Sequence, residues 1–72
     1  MKKIDWIETD LDIFEATVRH KGIEYKVCVE SANETWIYTI VNDDMDLPVC
    51  SLGSYDTKEE AQETALKEIY NV

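Results

Sequence analysis

Carboxylates are the residues through which this chain could do chemistry, and they fall into three clusters. Glu8, Asp10 and Asp12 recur at every second position. In an extended chain they would line one side at roughly 6.6 Å intervals, from a rise near 3.3 Å per residue. Asp43, Asp44 and Asp46 form a second cluster, and Asp56, Glu59, Glu60 and Glu63 a third, with Glu59 and Glu63 one helical turn apart. Like charges at that spacing cost a few tenths of a kcal/mol. Lys58 and Lys67 offset only part of it.

Each chemistry that carboxylates support makes further demands. A calcium loop of the EF-hand type needs Gly at position 6 and Glu at position 12. Counting from Asp44, position 6 is Val49 and position 12 is Tyr55, so the motif fails. Acid–base catalysis needs a carboxyl in an apolar pocket with a shifted pKa. A thin domain has little room for such a pocket, which runs to about 300 Å³ or more. His20 is the only histidine and falls at a turn, where a solvated side chain is expected. Neither a catalytic triad nor a His-rich metal site can be built on it alone. Cys28 and Cys50 are too few and too far apart for a disulfide framework or a zinc site and read as small hydrophobes. No enzymatic activity, metal or cofactor is therefore expected.

The remaining chemistry is that of a polyanion. Sixteen Asp and Glu against seven Lys and Arg give a formal charge of -9. Nucleic acid and anionic membranes need a cationic surface, so neither is expected as a direct ligand. A carboxylate-rich surface instead suits the cationic groove of a nucleic-acid-binding protein, where it would exclude the substrate. The competing reading is a surface that serves solubility alone.

These residues must be positioned by a small fold. Seventy-two residues make one domain, 1–72, and a chain near this length buries only about 60% of its unfolded surface. No run approaches the ~20 apolar residues of a membrane span. No apolar stretch follows Met1-Lys2-Lys3 as in a secretory signal, so a cytoplasmic location is the expectation.

Period-2 alternation predicts strands at about 11–19, 23–30, 35–41 and 49–52. Closing a hairpin on Lys21-Gly22 pairs His20 with Ile23 beside the turn, then Val18 with Tyr25, Ala16 with Val27 and Phe14 with Val29, the last three pairs apolar. A second turn over Ser31–Glu34 pairs Val29 with Trp36, Val27 with Tyr38 and Tyr25 with Ile40 on the same face. That puts Trp36 and Tyr38 in the core. Residues 1–10 fit a strand through Ile4, Trp6 and Glu8, or a helical turn through Ile4, Ile7 and Leu11.

Thr57 with Glu60 three residues on has the capping-box form, opening a helix at about 58–70. Ala61, Ala65, Leu66, Ile69 and Tyr70 make its apolar stripe. The predicted class is α+β: a three- to four-stranded antiparallel meander packed on one C-terminal helix. The uncovered sheet face would present Ile13, Ile37 and Val41, an alternative docking or homodimerisation surface.

The junction Ser51-Leu52-Gly53-Ser54-Tyr55-Asp56-Thr57-Lys58-Glu59-Glu60-Ala61 resembles the strand-to-helix ending of ethylene-response-factor DNA-binding modules. It is also similar to the arm-binding domains of tyrosine integrases and to double-stranded-RNA-binding domains. The resemblance spans roughly residues 34–70 and implies a three-stranded sheet on one helix. Those domains read nucleic acid with Arg and Lys. Here the corresponding face carries Glu15, Glu24 and Glu30 with only Arg19 and Lys26. In size, charge and layout the chain resembles phage-encoded anti-defence proteins, anti-CRISPR and anti-restriction types among them, some of which mimic DNA. That likeness implies an inhibitor of a host defence protein, acting through a basic groove.

Overall fold

The computed structural model describes residues 4–44 and 47–71. Strands β1 (Ile7–Asp10), β2 (Ile13–His20), β3 (Ile23–Ala32), β4 (Thr35–Val41) and β5 (Val49–Cys50) form one antiparallel sheet in sequence order. Helix α1 (Lys58–Tyr70) covers one face, which makes the fold α+β.

Alternation decides which side of each strand is buried. Ala16 and Val18, then Tyr25, Val27 and Val29, then Tyr38 and Ile40 all point to the helix side and are buried. Ala61, Ala65 and Ile69 meet them from α1, and the two alanines let the helix approach the sheet closely. Burying a side chain the size of Val or Ile contributes about 1.5–3 kcal/mol. Leu66 packs at the margin, while Tyr70 stays 43% exposed and lies outside the buried stripe. Thr57 Oγ1 accepts the backbone N–H of Glu60 at 3.2 Å, so the cap forms as its sequence indicates. At the other end of the helix, the Tyr38 hydroxyl donates to Glu68 Oε2.

The β2–β3 hairpin turns on Lys21 and Gly22, with φ 52° and 78°, and pairs His20 with Ile23, Val18 with Tyr25, Ala16 with Val27 and Phe14 with Val29 as predicted. The β3–β4 hairpin differs from expectation by two residues. The turn is Asn33-Glu34 alone, both left-handed with φ 52° and 69°. Val29 therefore pairs with Tyr38 and Val27 with Ile40. Two-residue turns with both φ positive match the twist of the flanking strands, which a four-residue loop need not. The tighter turn adds the pairs Ser31–Trp36 and Ala32–Thr35, and Thr35 Oγ1 donates to the Ala32 carbonyl at 2.8 Å. A shift of two leaves every side chain on its predicted face. It also moves Trp36 to the end of the sheet, where it is half-buried rather than in the core.

Residues 7–10 form a strand, one more than predicted, with a bulge between Glu8 and Asp10. Leu11 and Asp12 are a turn and not the start of β2, because Asp12 takes φ 58°. Asp10 Oδ1 accepts the Leu11 N–H at 2.8 Å. β5 is two residues long, not four. The chain after it still closes the outer edge of β4: Ser51 N–H donates to the Tyr38 carbonyl, and Trp36 and Tyr55 exchange both backbone hydrogen bonds.

Candidate functional site

Helix α1 runs along the sheet from the end where β2 and β4 begin to the end where β2 finishes. Its first residues therefore stand beside Asp12 and Phe14 at the start of β2 and Trp36 at the start of β4. Asp12, Phe14, Trp36, Asp56, Thr57, Lys58 and Glu59 line a shallow cleft of about 400 Å³. The Phe14 and Trp36 rings form its floor, with centroids 6.3 Å apart and planes at 50°. Lys58 lies three residues before Ala61, on the side of the helix that faces the sheet. Its Nζ sits 4.3 Å from the Phe14 centroid and 3.8 Å from Glu59 Oε2.

Parts of two carboxylate clusters thus meet at one end of the molecule. Asp12 alone of the first cluster lines the cleft. Glu8 and Asp10 do not share one side as expected, because the bulge between them sets Glu8 opposite Phe14 and Asp10 opposite Ile13, adjacent residues that face opposite sides of the sheet. Asp56 and Glu59 come from the third cluster, and Glu60 and Glu63 are exposed on the same part of the helix. The second cluster lies elsewhere. Asp43 and Asp44 follow β4, whose last residue Val41 pairs with Lys26 near the β2–β3 turn. Asn42 Oδ1 accepts the Asp44 N–H at 2.8 Å and shapes that loop. From Trp36 to Val41 the strand covers about 17 Å at ~3.3 Å per residue. That exceeds the screening length of about 8–10 Å at moderate salt. Asp46 lies outside the described residues.

The uncovered sheet face is mixed rather than apolar. Ile13 and Ile37 flank Glu30 in one row, and Val41 flanks Lys26 in another with Thr17 beyond it. All three apolar residues are half-buried. Cys28 sits between Glu15 and Thr39 on this face. Burial, then the charges of Glu30 and Glu15, push its thiol above the ordinary value, which disfavours the reactive thiolate. A shallow groove of about 440 Å³ runs along β1 and β2 past Asp5, Ile7, Glu15 and Lys26.

His20 is not the solvated turn residue that its position suggested. It is half-buried, with its ring edge-on to Tyr70 at 5.0 Å, because the helix ends over the β2–β3 turn. Among the described residues, no group of three or more His, Cys, Asp or Glu is arranged to hold a metal ion. No helix among them is long and apolar enough to cross a membrane.

Phe14, Trp36 and Lys58 were missed as members of a site. Lys58 carried a signal, since its spacing from Ala61 and Ala65 puts it on the buried side of the helix. The chain matches no known family model, and no curated protein or solved structure shows significant similarity to it.

Proposed function

We propose that the protein is a small, non-enzymatic inhibitor that occupies the basic groove of a nucleic-acid-processing host-defence protein, of CRISPR or restriction type, in the cytoplasm of the host cell. Its carboxylates would stand where DNA or RNA phosphates otherwise bind. The observation that carries this reading is the acidic pole, where Asp12, Asp56 and Glu59 converge from separate parts of the chain around one cleft. The mixed composition of the uncovered sheet face favours this surface over docking through Ile13, Ile37 and Val41, because burying Glu30 and Lys26 there would cost desolvation.

The test is a cleavage assay across a panel of CRISPR and restriction nucleases. Inhibition of one of them should weaken as salt is raised and be relieved by excess substrate, since exposed charges are screened within about 10 Å at 0.1 M salt. Changing Glu59, Glu60 and Glu63 together to Gln should relieve inhibition while the circular dichroism spectrum stays unchanged. Ile37→Lys with Val41→Lys should leave inhibition intact. If the sheet-face pair abolishes inhibition and the carboxylate triple is silent, the polyanion reading is wrong and a sheet-face interaction module replaces it.

A further inference from the structure

We propose that the Phe14–Trp36 cleft is a receptor for a single arginine side chain of a basic protein segment, and that Lys58 is its tethered occupant. The inference rests on the reading of a cationic partner given above and specifies where and how one of its side chains is held.

Three features of the cleft select the ligand. Its floor is aromatic, with Phe14 and Trp36 tilted at 50° to each other, so a flat group can lie on one ring and meet the edge of the other. Its rim holds three carboxylates, Asp12, Asp56 and Glu59, against one ammonium. A cation is already seated on the floor, since Lys58 Nζ lies 4.3 Å from the Phe14 centroid. That is well within the ~6 Å at which a cation is held over a ring. The start of a helix disfavours a cation by about half a charge, and the carboxylates outweigh it.

A guanidinium fits these features better than an ammonium. It is planar, stacks on aromatic faces, is weakly hydrated and presents five donors in a fork, enough to reach carboxylates on more than one side. A bare divalent cation is disfavoured, because the aromatic floor supplies none of the oxygen ligands such an ion requires. Lys58 holds its place weakly. Its ion pair with Glu59 is long, and the two side chains are 31% and 70% exposed. Pairs of that kind contribute little. An incoming arginine would displace the ammonium toward solvent and take its position on the ring.

The test is an NMR titration of the full-length protein with a capped hexa-arginine peptide, following the Trp36 indole resonance, with hexa-lysine in parallel. Hexa-arginine should bind more tightly and move the Trp36 signal. Lys58→Ala should tighten binding by about two- to fivefold, the value of one exposed cation–π contact. Lys67→Ala removes the same charge from the last turn of the helix and should have a smaller effect. Asp12→Asn with Asp56→Asn should weaken binding more than Asp43→Asn with Asp44→Asn. Asparagine keeps the left-handed backbone that Asp12 adopts.

Equal effects of the two lysine changes, or of the two aspartate pairs, with a still Trp36 signal, would overturn the cleft while leaving a diffuse acidic surface in place. Absence of peptide binding to any form would overturn the arginine cleft as well, while the cleavage assay decides the polyanion reading separately.

Discussion

Glu34→Gly should stabilise the protein, although glycine usually weakens ordered structure. Glu34 is the second residue of the β3–β4 turn and holds φ 69°. A side chain in the left-handed region costs about 1–2 kcal/mol from the clash of Cβ with the backbone. Glycine removes that cost but loses about 0.4–1 kcal/mol through the greater freedom of the unfolded chain. The balance runs from about zero to 1.6 kcal/mol in favour of the variant, centred on ~0.8 kcal/mol. For a domain of this size the central value corresponds to a rise in Tm of about 3–6 °C. The substitution also leaves glycine directly after Asn33, and an Asn followed by Gly is the pair most favoured in turns of this type. Removing a carboxylate from a chain of charge -9 would itself relieve some repulsion, so Glu34→Gln is the control. Thermal unfolding followed by circular dichroism should show most of the gain with the glycine variant and little with the glutamine one. A lower Tm for Glu34→Gly would mean that Glu34 is not left-handed, and the two-residue turn with its Val27–Ile40 register would be lost with it.

Tyr38 and the two thiols give two further expectations. Burial, followed by the hydrogen bond and charge of Glu68, raises the Tyr38 hydroxyl well above its ordinary value, so the folded state keeps this proton where the unfolded chain would release it. Its contribution to stability is complete below about pH 10 and falls as pH rises beyond that, by up to ~1.4 kcal/mol per pH unit. Urea unfolding between pH 8 and 11 should show a shallower decline for Tyr38→Phe than for the parent protein. Cys50 is exposed, whereas Cys28 is half-buried with a raised thiol pKa. A thiol reagent at pH 8 should modify Cys50 first, and Cys50→Ser should leave only a slow phase.

The faces of the strands and the bounds of the helix are legible in the order of residues alone. Alternation from Phe14 to Val18 and from Ile23 to Val29 has one arrangement that buries only apolar groups, and Lys21-Gly22 supplies the backbone freedom to close it. Thr57 and Glu60 fix the start of α1 through a local hydrogen bond that needs no distant partner. Hydrophobic pattern could not decide the β3–β4 register, because shifts by two residues bury the same set; the left-handed conformation of Asn33 and Glu34 decided it. Nor could it assign residues 7–10, whose strand exists only because β2 offers an edge to pair with. The union of Asp12 with Asp56 and Glu59 around Phe14 and Trp36 belongs wholly to the tertiary structure. Those residues lie far apart in the chain, and they meet because the helix begins at the end of the sheet where β2 and β4 also begin.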